Sequence, residues 1–186
     1  RQHNPVHTFS LAELRRLDAG SWFINSDPFG AIGARQLSAN DMDRMKGLQI
    51  PTLAEAADFV RKKSWFINVE LKDLPSFSLL DRLVDFIDDL KLQPSWFSLS
   101  SFNHDYLRRL QTLRPGFEIN ALIGGKGVRP QKWGTYEFKV YNANADLTDE
   151  KQVERALAHG CQINLYTVND PEQMRRFLKA GVSKLI

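Results

Sequence analysis

Apolar and polar positions change period several times along the chain, and the changes divide it into alternating strand and helix segments. The clearest alternation runs Ser64-Trp65-Phe66-Ile67-Asn68-Val69-Glu70-Leu71-Lys72. Successive side chains of a strand point to opposite faces, so Trp65, Ile67, Val69 and Leu71 share one apolar face. Phe66, Asn68, Glu70 and Lys72 share the other, which turns charged toward the C-terminal end. Beyond it, Leu79, Leu80, Leu83, Val84, Ile87 and Leu90 recur at helical spacing and predict a helix to Lys91, which Pro94 breaks. Further strands are expected at 95–100, 117–123, 138–143 and 163–168, with a sixth starting at Val182. The helices between them are expected to be capped by Asn103, Thr148 and Asp170, the last with Pro171 at its first position. Gly160 and Gly181 end the last two helices.

Ahead of the first strand the signals are more local. Ser10-Leu11-Ala12-Glu13 is a capping box that opens a short helix to about Asp18, stopped by Gly20. Pro51-Thr52-Leu53-Ala54-Glu55 carries a second box and opens a helix to Lys63, with Leu53, Ala56 and Val60 as its apolar stripe. Residues 24–49 hold Gly30, Gly33, Gly47 and the turn residues Asn25-Ser26-Asp27-Pro28, and read as a long loop with a short helix near Asn40 to Lys46.

Strand–helix alternation at this spacing predicts a parallel α/β architecture covered on its outside by helices. At 186 residues the chain is long enough for one domain with a real core, and a single domain over 1–186 is expected. Its 42% hydrophobic and 25% charged residues fit a globular protein. No apolar run approaches the roughly 18 residues a membrane span needs, so none is expected. The net charge of +3 and sequence pI of about 9.0 come from Lys and Arg spread along the chain. Nucleic-acid binding needs a concentrated basic stripe and is not expected. The single cysteine, Cys161, excludes a disulfide framework within the chain and reads as a small buried filler.

The candidate chemistry lies at the end of the first strand. Glu70 and Lys72 stand two residues apart on one face, roughly 6.6 Å along the strand. Parallel barrels and sheets keep their sites at such strand ends. The alternative is a solvated face on which the two charges form a salt bridge. Gly124-Gly125-Lys126-Gly127 follows the third expected strand but lacks the Walker spacing, and reads as a flexible loop whose amides could still help hold phosphate. His3 and His7 have no carboxylate among them, and His104-Asp105 sits at a helix head where His104 is expected at the surface. His159 precedes the helix-ending Gly160, where its charge suits the helix dipole.

Several segments, in order, resemble the glycerophosphodiester phosphodiesterase family. Val69-Glu70-Leu71-Lys72 is similar to its Ile-Glu-Ile-Lys strand, and Leu11 to Phe23 to its Leu-rich helix and exit. Ile50-Pro51-Thr52-Leu53-Ala54-Glu55 resembles its Ile-Pro-Thr-Leu-x-Glu helix start. Ser100-Ser101-Phe102 matches its Ser-Phe strand end, Tyr166-Thr167-Val168-Asn169 its Trp-Thr-Val-Asn strand end, and Gly181-Val182 the start of its last strand. The resemblance implies a (β/α)8 TIM barrel, here incomplete: the family's His-Arg-Gly, Glu-x-Asp and His-Asp motifs are not recognisable in their places. The chain is expected to begin after them, with the catalytic histidines outside it.

By the same resemblance, the activity is metal-dependent hydrolysis of glycerophosphodiesters to glycerol 3-phosphate and an alcohol. Glu70 is expected as a ligand of a divalent metal, Mg²⁺ or Ca²⁺. Lys72 is expected as the catalytic, substrate-binding cation at the phosphoryl oxygens, with Phe102 and Tyr166 also binding substrate. Tyr166 stands where the family usually has Trp; it adds a phenolic donor to an aromatic wall, or simply fills the lumen. The implied partner is a small-molecule phosphodiester, the implied location cytoplasmic, and the oligomeric state stays open. Two other readings compete: a noncatalytic phosphate- or lipid-headgroup-binding barrel, and a sphingomyelinase-like lipase. The lipase should show a membrane-facing apolar loop, and residues 24–49 are not notably apolar.

Overall fold

Six strands, all parallel and hydrogen-bonded to one another in chain order, form the sheet in the computed structural model, which describes residues 4–125 and 132–186. They are β1 (Ile67–Leu71), β2 (Phe97–Ser101), β3 (Glu118–Ile123), β4 (Val140–Asn144), β5 (Gln162–Tyr166) and β6 (Lys184–Leu185). Sequential parallel order without reversal is the order of a barrel rather than of a doubly wound sheet. A flat sheet would hold β6 roughly 24 Å from β1, at about 4.8 Å per strand. Instead Lys184 of β6 places its ammonium 4.4 Å from the Phe66 ring just ahead of β1, and 3.3 Å from Glu118 of β3. The sheet is therefore curled, an arc of an incomplete (β/α)8 barrel, as expected.

The chain divides into two compact units, Arg1–Phe59 and Val60–Ile186. In the second, helices α5 (Ser78–Asp89), α6 (His104–Leu113), α7 (Glu150–Ala158) and α8 (Pro171–Lys179) connect successive strands. Their apolar stripes account for the core: Leu80, Val84 and Ile87 on α5, Tyr106, Leu107 and Leu110 on α6, Val153 and Ala156 on α7, Phe177 on α8. Burying each such large side chain contributes about 1.5–3 kcal/mol. Phe97, Leu99, Ile119, Ala121, Tyr141, Ile163 and Leu165 meet them from the strands. Cys161 is buried here as expected, its thiol 3.6 Å from the Phe138 carbonyl.

The other face of the sheet is polar. Asn68 pairs with Ser98 across β1 and β2, Asn164 donates to Asn142 at 2.8 Å, and Ser100 lies in register between Glu70 and Asn120. Among the described residues Ser100 Oγ, Asn120 Oδ1, Asn142 Nδ2 and Asn164 Oδ1 are buried without a protein partner.

The strand expected from Ser64 begins at Ile67 instead. Ser64 takes φ +52° and the Trp65 N–H donates to the Val60 carbonyl, so these residues close helix α4 (Leu53–Lys63) rather than extend the strand. Trp65 is accordingly 61% exposed and does not join the apolar face of Ile67, Val69 and Leu71. The cap of α7 also moves by one residue. Asp149 accepts from the Gln152 N–H and completes a capping box, while the Thr148 hydroxyl donates to the Asn144 carbonyl. Asn103 and Asp170 cap as expected.

The first unit is built on short helices and carboxylate clamps. Both expected boxes form, Ser10 with Glu13 at α1 (Leu11–Leu14) and Thr52 with Glu55 at α4. An unexpected helix α2 (Ser21–Ser26) follows because Asp18 accepts from the N–H groups of Gly20 and Ser21 and also from Gly47. A β-carbon on Gly20 would lie 1.8 Å from the Met45 carbonyl oxygen, so only glycine permits that approach. The short helix expected near Asn40 is α3 (Ala39–Met45), opened by a Ser38–Asp41 box.

Candidate active site

The C-terminal ends of five neighbouring strands surround a cavity of about 570 Å³. β1 ends in Glu70 and Leu71 and continues into Lys72 and Asp73. β2 delivers Ser101 and, just beyond it, Phe102 and Asn103. Gly124 and Gly125 follow β3, Asn144 ends β4 and Tyr166 ends β5. Glu70, Lys72, Phe102 and Tyr166, all expected from sequence, thus line one cavity. Lys126 and Gly127, named with the glycine loop, lie outside the described residues.

Hydrogen bonds between strand ends set the shape of the cavity. Ser101 Oγ donates to the Leu71 carbonyl at 2.7 Å and accepts from the Asn103 N–H at 3.0 Å, tying the end of β1 to that of β2. Tyr166 donates its phenolic hydrogen to the Ile123 carbonyl at 2.7 Å. Sequence left open a donor added to the aromatic wall or a simple lumen filler; the Tyr166 hydroxyl's hydrogen is directed at β3. Its ring meets Phe102 edge-on at 6.3 Å, which keeps the expected aromatic wall. Burial and the nearby negative charge of Glu70 push the Tyr166 phenol up to about 12. The hydroxyl is thus protonated, and a donor, throughout the neutral range.

Glu70 and Lys72 are both exposed to the cavity. Among the described residues neither belongs to an ion pair. Glu70 and Lys72 do not pair with each other, so the salt bridge that their spacing left open does not form between them. His104 does not line this cavity. Expected at the surface, it is half-buried, with Nε2 3.0 Å from the Leu122 carbonyl and its ring 5.1 Å from that of Phe138. His159 caps the end of α7 with Nδ1 2.7 Å from the Arg155 carbonyl and its ring stacked on Tyr136.

Three cavity residues escaped sequence reasoning: Asp73, Asn103 and Asn144. Asp73 follows the Glu-x-Lys strand end directly, and Asn144 continues the alternation of Asn142, so a signal existed for both. Asn103 was assigned only as a helix cap.

A divalent cation such as Mg²⁺ or Ca²⁺ needs several hard oxygen ligands. Glu70 and Asp73 are of the right chemistry and share the cavity. The amide oxygens of Asn103 and Asn144 instead accept from the Asp105 and Asp146 N–H groups. Among the described residues no group of three or more His, Cys, Asp or Glu side chains could hold a metal. These residues alone do not complete such a site.

Comparison with known proteins agrees with this architecture. The model of the glycerophosphoryl diester phosphodiesterase family matches residues 1–186. The chain is 26% identical over 189 residues to a glycerophosphodiester phosphodiesterase of Bacillus subtilis, covering 96% of this chain and 61% of that protein. It is 27% identical over 192 residues to a protein of the same name from Caldanaerobacter subterraneus, covering 97% of this chain and 68% of that one. Among solved structures, an Oleispira antarctica phosphodiesterase, in complex with the product sn-glycerol-3-phosphate, superposes with a TM-score of 0.72 at 21% identity, covering 98% of this chain and 68% of that one. The 186 residues thus span about two thirds of the length of these relatives.

Proposed function

The chain belongs to the glycerophosphoryl diester phosphodiesterase family, and from that membership we propose that it forms part of an enzyme hydrolysing glycerophosphodiesters to glycerol 3-phosphate and an alcohol. The observation that carries this reading is a cavity at the strand ends that Glu70 and Lys72 line, unpaired among the described residues, beside an aromatic wall. Related proteins carry the name of this activity, and the Oleispira antarctica phosphodiesterase was solved with its product sn-glycerol-3-phosphate.

Each side chain then has a role its chemistry suits. The Lys72 ammonium meets the phosphoryl oxygens, whose charge grows as the attacking oxygen approaches phosphorus. Phe102 and Tyr166 pack against the carbon skeleton of the glycerol moiety. Glu70 would hold one position of a divalent metal, Mg²⁺ or Ca²⁺, whose other ligands these residues do not provide and whose chemistry would be Lewis-acid polarisation of the phosphoryl group. No described cavity residue is a histidine, and no proton transfer is assigned to this chain.

The test is release of glycerol 3-phosphate from glycerophosphocholine and glycerophosphoethanolamine by the protein that carries these 186 residues. Release with Mg²⁺ or Ca²⁺ that a strong chelator abolishes is the expected result. Release that survives chelation sinks the metal assignment. Binding of glycerol 3-phosphate without turnover of either substrate favours the noncatalytic headgroup-binding barrel.

A further inference from the structure

Two side chains at the ends of β4 and β5 grip consecutive carbonyls of the segment leaving β3. The Tyr166 hydroxyl donates to the Ile123 carbonyl at 2.7 Å, and Asn144 Nδ2 donates to the Gly124 carbonyl at 3.0 Å. Phe102 supports the segment from the β2 side, since a β-carbon on Gly125 would come 3.3 Å from its ring. Gly124 takes φ +81°, a left-handed conformation that a side chain would disfavour. Three cavity residues and one special dihedral therefore converge on a stretch with no side chains of its own.

The direction of the grip matters. In a trans peptide the N–H points opposite to the carbonyl of the same unit. Drawing the Ile123 and Gly124 carbonyls toward β4 and β5 turns the N–H groups of Gly124 and Gly125 away from those strands, and on the other side of β3 lie β2 and then β1, which leads into Lys72. Among the described residues neither N–H donates to a backbone acceptor outside the strand ladders. Successive amides around a left-handed residue make a concavity suited to anions.

We propose that the Gly124 and Gly125 amides form an oxyanion subsite opposite Lys72, and that Asn144 and the Tyr166 hydroxyl are the positioning residues that aim it. The ligand class is a phosphoryl group, so the subsite deepens the hydrolase reading and rests on it. Lys72 supplies the charge and the amides supply fixed direction. Neither Asn144 nor Tyr166 needs to touch the phosphate for its loss to be felt there.

Two variants separate the grip from the packing. Tyr166→Phe keeps the ring against Phe102 and removes the hydroxyl. Asn144→Asp keeps the oxygen that accepts from the Asp146 N–H at 2.9 Å and removes the donor to Gly124. Inorganic phosphate is titrated into each protein by calorimetry, and hydrolysis of glycerophosphocholine is followed for KM and kcat, with a melting curve for each. Loss of one aligning hydrogen bond should weaken phosphate binding by roughly three- to tenfold in each variant. The melting temperature should stay close to that of the wild type. Because both side chains hold one segment, the double variant should lose less than the product of the two single losses. Unchanged phosphate affinity in both variants overturns the subsite, as does a wild-type protein that binds no phosphate. Phosphate binding with the expected dependence, but without glycerol 3-phosphate release, keeps the subsite and overturns the hydrolase reading instead.

Discussion

Replacing Lys72 with methionine tests the charge at the centre of the proposed site. The substitution keeps a long unbranched stem and removes the ammonium. Two unit charges 4 Å apart interact by about 1 kcal/mol in water and about 4 kcal/mol at the effective dielectric near a protein surface. Lys72 is exposed but stands in a recess, between those limits, so about 2–3 kcal/mol of transition-state stabilisation should be lost. That is on the order of 10²-fold in kcat/KM. Glu70→Gln makes the matching perturbation on the same face and should fail differently. Its rate loss should be partly restored by excess Mg²⁺ or Ca²⁺, whereas the Lys72→Met loss should not respond to metal. The assay is a metal titration of glycerophosphocholine hydrolysis, with thermal melting as control. Neither residue is buried, and neither is ion-paired among the described residues, so both variants should melt within the few tenths of a kcal/mol typical of surface changes. If both lose activity only in proportion to an early melt, the pair is structural and the site is misassigned. If excess metal rescues Lys72→Met instead, the two roles are exchanged.

The remaining expectations concern pH and the polar lumen. Below pH 10 the Tyr166 phenol is protonated in both folded and unfolded chains, so it adds no pH dependence. Between pH 10 and about 12 the unfolded chain ionises first, and stability should fall as pH rises. Screening at a partly exposed position holds the effect to on the order of 1 kcal/mol; equal alkaline melting curves for wild type and Tyr166→Phe would remove it. In the lumen, Asn164→Leu strands the Asn142 amide it had paired with and should cost about 1–3 kcal/mol. Changing both residues to leucine should cost less than the single change, and a double variant that costs more than Asn164→Leu alone in denaturant titration refutes that expectation.

Local physics decided how much of the fold could be read in advance. Leu80, Val84 and Ile87 recur with the period of a helix and Ile119, Ala121 and Ile123 with that of a strand, so α5 and β3 fall close to their expected places. Boundaries failed where a backbone group answers to something distant in sequence. α2 exists because Asp18 binds the Gly20 and Ser21 amides while also holding Gly47, a residue 29 positions away. Trp65 fell off the strand because Ser64 adopts a left-handed turn that no alternation pattern reveals. Thr148 and Asp149 are adjacent capping candidates, and the Gln152 side chain, reaching back to the Asp149 N–H, favours the second.

The candidate site divides along the same line. Glu70 and Lys72 were legible because a single strand carries both, and a period of two puts them on one face without reference to anything else. The place of Asn144 was readable from the alternation of Asn142, but its part was not, because that depends on β3 and β4 ending side by side, with Ile123 in register with Ala143 and the glycines just beyond. Tyr166 shows how far a readable position can mislead. Its place at a strand end is readable from the chain, and an exposed phenol there would be a ligand donor. Only the convergence of β3 and β5 reveals that the hydroxyl already binds the Ile123 carbonyl. A residue's chemistry travels with its letter; the direction in which that chemistry is aimed is set by neighbours dozens of positions away, and the glycine segment after β3 is where that direction most affects phosphate.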